Sequence, residues 1–106
     1  MVTYQADGWT ALGDGTRREI FRRLVERPQA AGELALDLPV SRPAVSQHLK
    51  VLKDARLVID HPEGNRRIYR VDPDGLAALR ADLERFWTQA LANYKRIVEA
   101  SAEEDA

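Results

Sequence analysis

Ser41-Arg42-Pro43-Ala44-Val45-Ser46-Gln47-His48-Leu49-Lys50-Val51-Leu52-Lys53-Asp54-Ala55-Arg56-Leu57-Val58 is the stretch from which the whole chain can be read. On a helix, Val45, His48, Leu49 and Leu52 fall at i, i+3, i+4 and i+7, one stripe aimed at a core. Arg42, Pro43, Ser46, Gln47, Lys50 and Lys53 take the other side. Ser41 is a good N-cap, and Pro43 lies in the first turn, where a missing N–H costs nothing. The helix is predicted to run to about Ala55. Its outward face offers cations, an amide and a hydroxyl, with almost no apolar surface. Such side chains reach phosphates and base edges in a major groove. A merely solvated face is the plain alternative, and the neighbouring elements weigh against it.

Upstream, residues 30–38 read as a short helix with Leu34 and Leu38 inward and no Ser or Thr cap, and Leu38-Pro39-Val40 is a turn. Before it, Thr16 and Glu19 have the spacing of a capping box. They open a helix over residues 16–26 that buries Ile20, Phe21, Leu24 and, at its edge, Val25. Arg17, Arg18, Arg22, Arg23 and Arg27 cover its other faces, and Pro28 marks its end. In the polar lead, which also holds Tyr4, Trp9 and Leu12 sit at i, i+3, as in a short amphipathic helix. Downstream, residues 57–61 and 66–71 are β-rich runs joined through Pro62-Glu63-Gly64-Asn65, a hairpin signal. Two short helices, the second capped and polar outside, suggest a helix-turn-helix. The arginines at the hairpin tip give it the look of a wing that touches DNA.

Asp72-Pro73-Asp74 opens the last helix. Leu76, Leu79, Leu83, Phe86, Trp87, Leu91, Tyr94, Ile97 and Val98 then recur at threes and fours. About 26 residues at 1.5 Å each make roughly 40 Å, longer than so small a domain is wide. The expected dimer interface is therefore Trp9, Leu12, Leu83, Phe86, Trp87, Leu91, Tyr94 and Ile97. Residues 1–100 are read as a single domain with dimerisation helices at both ends, and 101–106 as an acidic, frayed tail.

With 106 residues the chain has room for one modest core. It has no cysteine, which excludes disulfides and thiolate metal sites, and only His48 and His61 remain as nitrogen ligands. No cofactor is called for. The apolar runs are too short to span a bilayer, no charged-then-apolar leader opens the chain, and the expected location is the cytoplasm. A missing Gly-rich phosphate loop, and histidines without a serine-plus-carboxylate setting, argue against an enzyme. The net charge of −1 hides an asymmetry: residues 41–70 carry seven cations against three carboxylates, net +4, while residues 71–106 are net −4. One face thus bears a positive field although the total is near zero.

In order of elements and in residues, the chain resembles the ArsR/SmtB family of winged-helix repressors. The matching pieces are Trp9-Thr10-Ala11-Leu12-Gly13-Asp14, Thr16-Arg17-Arg18-Glu19-Ile20, Gly32-Glu33-Leu34-Ala35, the run from Leu38 through Leu52, and Arg66-Arg67-Ile68-Tyr69. The resemblance implies a mainly α fold with a small β-hairpin wing, a winged helix-turn-helix of order α-α-α-α-β-β-α, as a homodimer. It places Ser41, Arg42, Pro43, Ala44, Ser46, Gln47 and Lys50 against double-stranded DNA, with Arg66 and Arg67 on the wing. Metal-sensing members carry cysteines after the Glu-Leu of the third helix, or carboxylates and histidines on the last. Here the first segment is Glu33-Leu34-Ala35-Leu36-Asp37, and the last helix holds Asp82 and Glu84 but no histidine. The chain therefore looks like the branch without metal sites. Gly15 stands where a proline is usual, and Arg56 where many members have the glycine that ends the recognition helix.

The reading that results is a metal-independent, homodimeric transcriptional repressor on a pseudo-palindromic operator. Two rivals stand beside it. One is the same repressor relieved by an organic inducer at the dimer interface; the other is a winged-helix module that docks a protein. His48 is expected to be a packed, hydrogen-bonded structural residue and His61 exposed. Phe86 and Trp87 are read as interface core rather than a ligand cage, and Asp82 and Glu84 cannot face each other as an acid pair.

Overall fold

The computed structural model describes residues 7–104, so Tyr4 and the last two residues of the acidic tail lie outside the described residues. The elements are α1 (Gly8–Ala11), α2 (Gly15–Glu26), β1 (Gln29–Ala30), α3 (Ala31–Leu36), α4 (Arg42–Asp54), β2 (Val58–Glu63), β3 (Arg66–Val71) and α5 (Pro73–Glu104). The strands form one antiparallel sheet in the order β1-β3-β2.

Helix α2 is capped by Asp14, whose carboxylate accepts from the Arg17 N–H at 2.9 Å. That bond holds the Asp14 carboxyl below its ordinary pKa. The expected Thr16–Glu19 box is not formed. A carboxylate two residues earlier starts the helix first, and Glu19 turns instead to Arg22 and Arg23. Ile20, Phe21 and Leu24 are buried as expected, but Val25 is 58% exposed.

The predicted order lacked one strand. Gln29 and Ala30 pair with Tyr69 and Ile68, so the wing is the outer part of a three-stranded sheet. Helix α3 accordingly begins at Ala31 and ends at Leu36, inside the expected 30–38. The Glu33 carboxylate receives the Ala30 N–H, which supplies the start with the acceptor that alanine lacks.

Helix α4 has the expected cap, with Ser41 Oγ accepting from the Ala44 N–H. Val45, Leu49 and Leu52 are fully buried beside Ile20, Leu24 and Leu34. His48 is half-buried but, against expectation, forms no hydrogen bond among the described residues. The helix closes in a Schellman motif: the Arg56 N–H bonds the Lys53 carbonyl and the Leu57 N–H the Leu52 carbonyl, both at 3.0 Å. Arg56, the residue that must turn left-handed, has φ 62°. The hairpin turns on Gly64, φ 64°, and Asn65, a tighter connection than the four residues read from sequence.

Helix α5 is 32 residues long, about 48 Å at 1.5 Å per residue, and none of its residues is buried. It continues through Glu104, past the point where a frayed tail was expected. Its first turn is held by the Asp72 N–H to the Leu57 carbonyl and by the Asp72 carboxylate to the Asp74 N–H. A Cβ on Gly75 would lie 1.8 Å from the Arg56 carbonyl oxygen. At Gly8 a Cβ would fall 2.7 Å from Leu79, so α1 lies directly on α5. There Trp9 donates its indole N–H to Asp82 at 3.1 Å and packs its ring 6.3 Å from Phe86.

Two substitutions probe the junction of α4 and α5. Arg56→Gly relieves a left-handed conformation that costs a non-glycine residue on the order of 1 kcal/mol, and should raise the melting temperature by a few degrees. Gly75→Ala puts a methyl into occupied backbone and should destabilise by about 1–3 kcal/mol. Thermal unfolding followed by circular dichroism reads both; an unchanged Gly75→Ala melt would mean the two segments do not touch.

Candidate nucleic-acid interface

The hydrophobic stripe of α4 locks one side of the helix into the core, so the opposite side is set in direction and orientation. Ser41, Arg42, Pro43, Ser46, Gln47 and Lys50 are exposed there, and Ala44 is half-buried. Arg42, Ser46, Gln47 and Lys50 form no hydrogen bond or ion pair among the described residues. Ser41 spends an acceptor on its own cap and keeps its O–H for an outside partner. Arg42 lies over Gly32, with its guanidinium carbon 3.7 Å from where a Cβ would stand. The outward face of α4 therefore offers a bidentate donor, an amide and a point charge, all unspent. Those are the groups that read guanine, adenine and phosphate.

Arg66 and Arg67 line the groove between α4 and the hairpin together with Arg42, Ser46 and Asn65. They leave β3 on opposite sides, and each is held by a carboxylate. Arg66 reaches Glu33 on α3 at 3.2 Å, and Glu33 also takes Arg27 at 3.2 Å. Arg67 reaches Asp60 on β2 at 3.0 Å, and the other oxygen of Asp60 takes Lys53 from the last turn of α4 at 2.9 Å. The Ala30 N–H, then Arg27 and Arg66, hold the Glu33 carboxyl below the usual carboxylate range. For Asp60, burial pushes the carboxyl up, but Lys53 and Arg67 more than offset it and the net direction is down.

Sequence reasoning placed these arginines but missed the acids that hold them. The only signal was period-two geometry: Asp60 faces Tyr69, so Arg67, two residues away, is its diagonal neighbour. No spacing rule links Lys53 to Asp60 across the turn at Arg56. His61 is exposed as expected and sits 3.6 Å from Glu63.

The expected interface residues Leu83, Phe86, Trp87, Leu91, Tyr94 and Ile97 are all exposed, Trp87 by 64%. At 100° per residue they share an arc of about 140°. Trp9 joins them through Phe86. Leu12 does not; it is half-buried against the core beside Phe21 and Val25. An exposed aromatic and aliphatic stripe of this length marks an interaction surface. Asp82 bonds Trp9 and Arg85, not Glu84.

Among the described residues no three His, Cys, Asp or Glu side chains are grouped as a metal would require. No described helix is long and apolar enough to cross a membrane.

A family model described as a helix-turn-helix domain matches residues 12–61. The HTH-type transcriptional regulator Rv2034 of Mycobacterium tuberculosis is 60% identical over 106 residues, covering 98% of this chain and 99% of its own. The HTH-type transcriptional repressor SmtB of the same species is 38% identical over 72 residues, 68% of this chain and 53% of its own. Among solved structures, the homodimeric winged helix-turn-helix DNA-binding domain of Mb0332 from Mycobacterium bovis, a possible ArsR-family regulator, is 27% identical. It superposes with a TM-score of 0.62 over 76% of this chain and 75% of its own.

The ion pairs of Glu33 and Asp60 carry a pH dependence. Both carboxyls titrate below their ordinary range, so their contribution to stability is complete above about pH 5 and is lost as pH falls through the lowered values. The melting temperature should be flat from neutral to about pH 5 and decline below about pH 4. In Glu33→Gln/Asp60→Asn that decline should be shallower; an equal decline would place the acid sensitivity in other carboxylates.

Proposed function

The chain belongs to the ArsR/SmtB family of winged helix-turn-helix transcriptional regulators, and we propose that it is a homodimeric repressor that reads its operator with the outward face of α4. One observation carries the proposal. Arg42, Ser46, Gln47 and Lys50 stand exposed and without polar partners on a helix whose other side is locked in the core. The reading assigns Arg42 to a guanine, Gln47 to an adenine and Lys50 to a phosphate, with Ser41, Pro43 and Ala44 at the helix start against the backbone and Arg66 and Arg67 on the wing.

The second copy packs on the stripe of α5, with Trp9 at its edge. Two-fold symmetry then asks for a pseudo-palindromic site with half-sites about one helical turn apart. Occlusion of polymerase follows from occupancy. The reading makes it a cytoplasmic protein that acts without a metal; the lack of any cysteine for a thiolate site supports the latter. A protein partner on α4 is disfavoured, because its outward face lacks the apolar anchors that such docking uses. Relief by an organic ligand is a second reading, favoured by the apolar groove along α5 between Leu91, Tyr94 and Val98. A thermal-shift screen with small organic compounds tests it.

Selection from a random duplex pool should return a palindromic consensus, bound with a steep salt dependence and unaffected by chelator. Arg42→Ala should cost about 1–3 kcal/mol on that site and relax its sequence preference, whereas Lys50→Ala should weaken all duplexes alike and flatten the salt slope by about one phosphate per subunit. Uniform weakening by Arg42→Ala would contradict its base-reading role, and sequence-blind binding throughout would contradict the operator.

A further inference from the structure

Asp60 is a carboxylate whose side chain is only 7% exposed, seated under two cations that remain half-exposed. Lys53 Nζ takes one of its oxygens at 2.9 Å and Arg67 Nη1 the other at 3.0 Å. The partners come from different elements: Lys53 from the end of α4, Arg67 from β3 and Asp60 from β2. On α4, Lys53 lies in one row with Arg42 and Ser46, at i, i+4 and i+11. Arg67 lines the same groove as Arg42 and Ser46. The three charged groups thus sit where the recognition helix meets the wing, on the side that carries the unspent donors.

We infer that Asp60 is a positioning residue for DNA: it fixes Lys53 and Arg67 side by side as a clamp for one backbone phosphate. This rests on the reading of α4 as the DNA-contacting helix and adds Lys53 and Asp60 to its site. The chemistry is specific. A carboxylate holds two cations on two oxygens, spaced much as the two non-bridging oxygens of a phosphodiester. An ammonium has three N–H donors and a guanidinium five, and Asp60 uses one of each. The remainder have no partner among the described residues. Both long side chains are ordered before DNA arrives, so less rotamer freedom is lost on binding. Asp60 itself is screened from the duplex by the cations above it.

The inference inverts the simple Coulomb expectation. Removing a carboxylate beside a DNA-binding face should strengthen binding by charge alone. If Asp60 positions the clamp, removing it weakens binding instead. The probe is fluorescence anisotropy over a salt series with a labelled mixed-sequence duplex two to three helical turns long, since phosphate contacts are blind to sequence. Lys53→Ala and Arg67→Ala should each flatten the salt slope by about one phosphate per subunit. Asp60→Asn should lower affinity several-fold and flatten the slope, yet have no further effect in Lys53→Ala/Arg67→Ala. Equal or tighter binding by Asp60→Asn overturns the inference. Should that variant not fold, the cycle of Lys53→Ala and Arg67→Ala decides: cations sharing one phosphate lose less together than the sum of their separate losses, and strict additivity overturns the clamp. A wild-type chain that bound no duplex would overturn the DNA reading along with it, whereas a binding wild type with indifferent Asp60→Asn overturns the clamp alone.

Discussion

The carbonyl of Arg56 occupies the space that a side chain on residue 75 would need, so the turn after α4 and the first turn of α5 share one volume that only a glycine leaves empty. Around that contact the backbone of Leu57 does two jobs. Its N–H closes α4 onto Leu52, and its carbonyl takes the Asp72 N–H that starts α5. Strand β2 departs from the next residue, with Val58 opposite Val71. Helix α4, the hairpin and α5 therefore meet at neighbouring residues of one hydrogen-bonded backbone junction. The angle between the outward face of α4 and the stripe of α5 is thereby set within a single chain.

The wing depends on different forces. Val58 and Ile68 are its buried anchors, and every residue from 61 to 67 is exposed. What steadies the hairpin toward the helices is charge: Glu33 holds Arg66 from the α3 side, and Asp60 holds Arg67 from the α4 side. Pairs whose cations stay half-exposed contribute little to stability. Their effect is on direction. Core burial fixes α4 and orients its outward donors, while ion pairs aim the exposed arginines of the hairpin.

Most of the architecture was legible because it follows from periodicity and end chemistry. Ser41, Val45, Leu49 and Leu52 announce a capped helix with one buried side, and the structure has it. Arg56 stood out as a non-glycine where a left-handed residue is wanted, and its φ is positive. The stripe from Leu83 to Ile97 reads as a dimer interface, and in the single chain its side chains are exposed. Three things were not legible, each for a physical reason. A strand of two residues, Gln29–Ala30, is too short to show a period, and only its partner β3 makes it a strand. Asp14 and Thr16 both have cap chemistry, and the choice between them turns on which N–H groups the fold leaves free. Glu33, Asp60 and Gly75 matter through neighbours far along the chain, which pattern within a window cannot see.

Helix α5 extends about 48 Å yet has nothing buried along it, in a chain 71 Å in its longest dimension. Alone, such an arm is held by its first turns and by α1; further out, isolated helix is only marginally stable in water. In the proposed dimer its order comes from the second copy, so folding of the arm and pairing of subunits are one equilibrium, governed by mass action. The working species then grows with the square of chain concentration when chains are scarce. Dilution at cell division, or a small change in synthesis rate, would shift operator occupancy more steeply than in proportion. A stripe of uncovered leucines and aromatics thereby becomes a device for counting molecules.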